Sequence, residues 1–359
     1  VSTILLLASR SLLTFMGGLM LEQGGDASIG AVIATALPYY NTLIWSLFPI
    51  MVWCTAKQFL EGIGNTRLAM YTIITSNLLN IFLNWVFIFG NLGFKPMGAT
   101  GAGYATLISR IVQCIMLLAI FFSSPSLRCY TRDLFRRSML SLRTVREILR
   151  VGVPISFQML MESSAFVVAG IMVLAFGAAS VSAYQIGVNM MNVTFMIVIA
   201  IGSATTILTS HIYGRGNFQT LRHTAYSAYH MGLMWNVSVA MIFVALRFVI
   251  PTLFTTNEEV IRLAGSMLIF IALFQVSDCL QALSISILRG LQDVKVIIPI
   301  VFVSYVLINI PAGYILAFNY GLQANGLIIG FIIGLSCCAI MTMIRVRRDI
   351  KQLEKRVEN

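Results

Sequence analysis

Charge is scarce in this 359-residue sequence, and negative charge scarcest: 13 Asp and Glu stand against 24 Lys and Arg, and charged residues make up only 10% of the chain. A soluble domain solvates its surface with roughly a quarter of its residues charged, so a water-exposed globule is excluded. Histidine is nearly absent; His211, His223 and His230 are dispersed around one expected connection, and none lies in the middle of an apolar run. The six cysteines, Cys54, Cys114, Cys129, Cys279, Cys337 and Cys338, form neither a CxxC pair nor a Cys/His ligand spacing. Neither a disulfide framework nor a structural metal site is implied. Five of them fall in apolar runs, where Cys serves as a small apolar filler. An embedded enzyme would need a nucleophile–base pair or metal ligands in those runs, and none is evident. The alternation of a membrane β-barrel is missing as well.

What is abundant is apolar sequence. The residues AVILMFWYC make up 58% of the chain, and mean hydropathy is +0.88. Runs of about 18 or more apolar residues, enough to cross a hydrocarbon core of ~30 Å, recur from end to end. Ten spans are expected near 2–20, 32–58, 67–90, 99–123, 150–176, 180–210, 224–250, 261–288, 295–318 and 325–345. The fold class is therefore an all-α polytopic membrane protein. Several spans are long enough to be tilted or to continue as helix beyond the bilayer.

The net charge of +11 is not a nucleic-acid patch, because the bases cluster in particular connections. Arg128, Arg132, Arg136, Arg137, Arg143, Arg146 and Arg150 follow the fourth span, and Arg345, Arg347, Arg348, Lys351, Lys355 and Arg356 occupy the tail. Such clusters read as cytoplasmic anchors. Alternation then puts Arg67, Arg215, Arg222, Arg289 and Lys295 inside and Glu22, Asp26, Glu258 and Glu259 outside, with Lys95 as the exception. The expected organisation is an N-terminal lobe over 1–123, a basic cytoplasmic connection over 124–149, a C-terminal lobe over 150–345 and a basic cytoplasmic tail over 346–359.

A direct repeat runs across that divide. Phe59-Leu60-Glu61-Gly62-Ile63-Gly64-Asn65-Thr66-Arg67 parallels Ile287-Leu288-Arg289-Gly290-Leu291-Gln292-Asp293-Val294-Lys295. Asn80-Ile81 recurs as Asn309-Ile310, and Gly98-Ala99-Thr100-Gly101 as Gln323-Ala324-Asn325-Gly326, in the same order. Two pseudo-symmetric lobes around a central cavity are the expected consequence. Matching halves also imply two spans before Val1, which opens the chain without an initiating Met.

Of the 13 acidic residues, 11 fall in connections, span ends or the tail; Glu162 and Asp278 alone lie deep within apolar helices. An ionised carboxylate at mid-membrane costs ~2.5–3.5 kcal/mol on insertion scales, so each calls for a partner, a proton or a cation. A static hydrogen-bonded carboxyl is the alternative. Helical spacing gives the acids polar company: Gln158 with Glu162 at i,i+4, and Phe274, Asp278 and Gln281 at i,i+4,i+7. Gln185, Asn189 and Asn192 repeat the pattern on the span between. These amides either line a cavity or join helices by hydrogen bonds. In the first half, Asn77, Asn80 and Asn84 share a face and Thr106 lies on the next span; their oxygens can ligate Na⁺ but carry no exchangeable proton. Arg10 and Arg110 balance charge or line a cavity. Pro49, Pro154, Pro299 and Pro311 mark expected bends.

In order and spacing, Leu60 to Arg67, Asn80 to Gly90, Gly98 to Gly103, Gly152-Val153-Pro154 through Glu162, Ala183-Tyr184-Gln185-Ile186, Gly214-Arg215-Gly216 and Phe274 through Asp293 resemble the multidrug and toxic compound extrusion (MATE) transporters, in their NorM-like branch. The resemblance implies twelve helices in two six-helix lobes, about ten of them in this chain, and export of cationic amphipathic compounds in exchange for Na⁺ or H⁺. It places a second-lobe cation site at Glu162 and Asp278, where Na⁺ would be the only metal bound, and a first-lobe site at Asn80, Asn84 and Thr106. Phe274 stands where the branch can have Tyr, removing one hydroxyl ligand, and other branches often carry Asp at the Asn84 position. No cofactor beyond the coupling ion is implied. The expected partners are a small cationic substrate and the lipid bilayer, with no nucleic acid, for a monomer in a bacterial cytoplasmic membrane. A lipid-linked oligosaccharide flippase of the same superfamily is the alternative; it would line its cavity with Arg or Lys, for which only Arg10 and Arg110 are candidates here.

Overall fold

The computed structural model describes residues 27–124, 127 and 141–358. The expected first span at 2–20, Arg10, Glu22, Asp26, Cys129 and the bases Arg128, Arg132, Arg136 and Arg137 lie outside the described residues. The chain divides into two compact units, Val1–Met139 and Leu140–Asn359. Among the described residues nine helices are long and apolar enough to cross a membrane, and no strand occurs.

In the first unit these are α1 (Ala27–Gly62), α2 (Thr66–Phe89) and α3 (Gly98–Ser123). The second holds α4 (Leu142–Val173), α5 (Ala178–Gly214), α6 (Phe218–Ala245), α7 (Glu258–Gly290), α8 (Ile297–Asn319) and α9 (Gln323–Glu358). Local chemistry sets their starts. The Ser141 hydroxyl accepts from the Thr144 amide, the Asn217 side chain from Thr220, and the Asn257 side chain from Glu259 and Val260, which meets three helix N-termini whose amides lack partners.

Three boundaries differ from the hydropathy reading. α4 begins inside the segment taken as a connection, because Ser141 caps it before the apolar run starts. α9 continues as helix through the residues expected to form a separate tail, since Arg345 is anchored by Asp293 at 2.7 Å and Asp349 at 3.2 Å. α6 stops at Ala245, a turn follows at 246–248, and Val249–Thr252 form a single short helical turn that includes Pro251. That end of the unit, which carries Glu258 and Glu259, also carries Arg262 and Arg247, the latter 4.8 Å from the Phe248 ring.

The repeat has a geometric counterpart within each unit. α1 ends with Gly64 at φ 82° and α7 with Gln292 at φ 63°. Asn65 N–H donates to Leu60 O at 2.8 Å, and Asp293 N–H to Leu288 O at 3.0 Å. The two helix ends thus use one left-handed cap. Gly98 and Gln323, paired in the repeat, start α3 and α9 at φ 53° and 50°.

α8 is irregular: π-helical turns span Phe302–Asn309 and Ile315–Asn319 around Pro311. A proline inside a helix has no N–H to donate and crowds the preceding turn, and wider turns absorb the mismatch. α9 meets α8 along a stripe of small residues. A Cβ at Gly330 would sit 2.5 Å from Gly313 Cα, and one at Gly334 2.6 Å from Asn309 Cβ, a backbone approach typical of membrane helix pairs. Gly330→Ala is expected to cost about 1–3 kcal/mol of stability through forced separation of the helices. Gly152→Ala, on α4 with nothing within 4 Å, serves as the neutral control. Equal thermal transitions of the two variants in detergent would refute the close-packing account.

Candidate functional site

α4 and α7 run antiparallel where they meet, since residues rising along α4 face residues falling along α7. Arg289 Nη2 donates to Gln158 Oε1 at 2.8 Å, and the Phe166 and Phe274 rings meet edge to face at 6.3 Å. Between these contacts lie Glu162, one turn from both Gln158 and Phe166 on α4, and Asp278, one turn from Phe274 on α7. Asp278 is buried, at 9% exposure, and Glu162 is half-buried.

Around the acids the side chains fall into layers. On one side Phe166, Phe274 and Phe331 form an apolar wall, with Phe166 and Phe331 stacked at 4.6 Å and Phe274 edge-on to both. Phe274 is 1% exposed and has no polar atom to offer. On the other side lie amides. Gln158 Nε2 donates to Glu162 Oε2 at 3.3 Å, while its Oε1 receives the Arg289 guanidinium. Gln281 Oε1 accepts the Tyr305 hydroxyl at 3.0 Å. A cation, an amide and a carboxylate therefore form one chain, Arg289 to Gln158 to Glu162.

Two members of this cluster were not legible as site residues. Arg289, read as a cytoplasmic anchor, turns inward instead: it is half-buried and bonded to Gln158, which in turn donates to Glu162. Its place in the last turn of α7 still suits the helix dipole. Tyr305 sits fully buried on the first π-helical segment of α8, bonded to Gln281. The proline at 311 was the only available hint, since π-turns gather at irregular, functional stretches of helix.

The remaining candidates are placed differently. Gln185, Asn189 and Asn192 share the exposed face of α5, while Tyr184, Ile186 and Gly187 turn inward. In the first unit, Asn84 Nδ2 donates to Asn80 Oδ1 at 3.0 Å, so these two are joined along α2. Thr106 gives its hydroxyl to Ala102 O on its own helix at 2.9 Å, the usual membrane-helix habit of threonine. Arg110 donates to the Ser46 hydroxyl at 2.6 Å, tying α3 to α1.

Relatives and solved structures match this chain over most of its length. A family model described as MatE matches residues 2–86 and 154–315. Multidrug resistance protein NorM of Vibrio vulnificus (strain CMCP6) is 31% identical over 328 residues, covering 90% of this chain and 72% of the relative. Multidrug resistance protein MdtK of Edwardsiella ictaluri (strain 93-146) is 28% identical over 316 residues, covering 87% and 69%. The crystal structure of the eukaryotic MATE transporter AtDTX14 superposes with a TM-score of 0.84 at 21% identity, over 99% of this chain and 79% of its own, which is a likeness of fold.

Proposed function

The chain belongs to the MatE family, and from that premise we propose that it exports cationic, amphipathic small molecules across a bacterial cytoplasmic membrane in exchange for entering H⁺. The observation that carries the reading is the placement of Glu162 and Asp278 between the Arg289–Gln158 hydrogen bond and the Phe166–Phe274 ring contact of the second unit. Two carboxyls there hold exchangeable protons, attract a cationic ligand when ionised and lose that attraction when protonated. The relatives' names, which describe multidrug resistance, support the class of cargo.

In the exchange, Glu162 and Asp278 take up protons on the side from which ions enter and release them on the other. Arg289, reached through Gln158, favours the ionised Glu162 and so supports release; Tyr305 and Gln281 hold the polar wall in register. Coupling requires that protonation and substrate binding oppose one another by a definite factor, and that factor is the same read from either ligand. The exposed amides Gln185, Asn189 and Asn192 support a wetted path, because polar side chains on a membrane helix face water or protein rather than hydrocarbon. The basic ends of α4 and α9 support a cytoplasmic placement of the inter-lobe connection and the C-terminal end, and a monomer suffices for the scheme.

H⁺ is favoured over Na⁺ by the donor set. Phe274 contributes no oxygen, and one side of the acid pair is walled by aromatic rings, whereas a bound metal ion needs several oxygen ligands around it; a guanidinium already supplies positive charge. The first-unit group Asn80, Asn84 and Thr106 is neutral and binds no proton of exchange. The flippase alternative draws no support from Arg110, which is committed to Ser46.

The test is transport by the protein in liposomes loaded with ethidium. An imposed pH gradient is expected to drive efflux and an imposed Na⁺ gradient of equal size to leave it unchanged. Efflux driven by Na⁺ alone overturns the choice of ion; no response to either gradient overturns coupled export.

A further inference from the structure

Outside the acid site, a cavity of about 420 Å³ opens between α6 and α9, over α7, at the end of the unit that carries the basic stretch of α9. Its volume falls in the range of about 300–1,000 Å³ common to small-molecule sites. The lining is divided. Leu233, Leu280 and Met343 form an apolar floor, and Arg222, Arg347 and Lys351 stand at the mouth, with Glu354 the sole acid. Glu354 approaches Arg222 at 4.0 Å, the weak limit of an ion pair, and Arg222 is 60% exposed. Arg347 and Lys351 are exposed, so the lining carries three bases against the single acid Glu354.

Tyr226 and Tyr229 lie between the charged mouth and the apolar floor, and the Tyr229 hydroxyl meets that of Ser284 at 2.8 Å. Tyrosines at such a level mark the boundary between headgroups and hydrocarbon. Beyond the floor the same face of α6 continues, at i,i+4 spacing, through exposed Val237 and Met241, and α9 presents exposed Ile340. A molecule with a negatively charged head and apolar tails meets complementary chemistry along its whole length: cations at the head, phenols at the boundary, then uncovered aliphatic side chains. A soluble anion uses only the first of these, and a cationic drug is repelled by it.

We propose that this cavity binds a single anionic phospholipid of the adjacent leaflet, its phosphate held by Arg222, Arg347 and Lys351 and its acyl chains laid over Leu233 and Leu280. The site is separate from the Glu162–Asp278 cluster and does not depend on the transport reading. Each base near a membrane surface strengthens such binding about fivefold, so losing two of them lowers affinity about thirtyfold.

The experiment titrates fluorescent phosphatidylglycerol, and separately phosphatidylcholine, into the detergent-solubilised protein, with soluble glycerol phosphate as competitor. Phosphatidylglycerol is expected to bind saturably, phosphatidylcholine at least about tenfold more weakly, and glycerol phosphate not to compete. Arg347→Gln with Lys351→Gln is expected to lower phosphatidylglycerol affinity about thirtyfold. Arg348→Gln with Lys355→Gln removes the same charge from the same helix outside the cavity and is expected to change it less than about threefold. Equal losses in the two doubles, equal binding of both lipids, or full competition by glycerol phosphate overturns the proposal. Should the first double fail to fold, Leu233→Trp fills the floor and leaves every charge in place. It is expected to weaken lipid binding, and unchanged binding would overturn the proposal just as firmly.

Discussion

Asp278→Asn and Glu162→Gln are each expected to reduce pH-driven ethidium efflux to the rate of protein-free liposomes while leaving the amount of folded protein unchanged. The amide keeps the shape and the hydrogen-bonding capacity of the carboxyl but carries no exchangeable proton. Folding is spared because the carboxyl is a liability in the membrane: an ionised acid at the helix centre costs ~2.5–3.5 kcal/mol, which the amide does not incur in full. Asp278 lies buried beneath the Phe274 ring's turn, and Glu162 retains through Gln158 the same amide contact after substitution. Loss of efflux with unchanged thermal stability separates a carrier of protons from a structural group. Full activity in both variants sinks the proposed coupling, and loss of folded protein in both returns the acids to the role of static hydrogen-bonded carboxyls.

The spans were legible because nothing but a membrane helix needs so many consecutive apolar residues, and the described helices lie where the runs lie. The repeat was legible in its order, and it proves to encode a physical element: the residue pairs Gly64 and Gln292, and Gly98 and Gln323, adopt the same left-handed turns. Glu162 and Asp278 stood out by cost alone. Direction was the missing quantity. Helical spacing says that Gln185 and Asn189 share a face but not which way it turns, and they are exposed while Gln158 and Gln281 are buried. Likewise the position of Arg289 near a helix end says that its charge is tolerable there, but its long side chain reaches back to Gln158 instead of out to headgroups. Tyr305 needed the π-helical turns of α8, which one proline hints at without fixing their register.

Arg289 is where a substitution should separate charge balance from packing. Arg289→Gln removes a charged hydrogen bond to Gln158, and the expected loss of stability is about 1.5–3 kcal/mol. Ionised Glu162 then lacks its counter-charge, so the state that has released its proton is disfavoured, and efflux is expected to slow about tenfold, which corresponds to ~1.4 kcal/mol. Arg289→Lys keeps the charge but loses the planar fork that meets the amide oxygen, and is expected to retain more of the efflux than the Gln variant. The deciding measurement is a double-mutant cycle on thermal stability with Glu162→Gln. Once the carboxylate is gone, Arg289 has nothing to neutralise, so its removal is expected to cost about 1 kcal/mol less than in the parent protein. Additive losses would mean that the guanidinium serves only to bind Gln158, and the role given to Arg289 in proton release would fall while the roles of Glu162 and Asp278 stood.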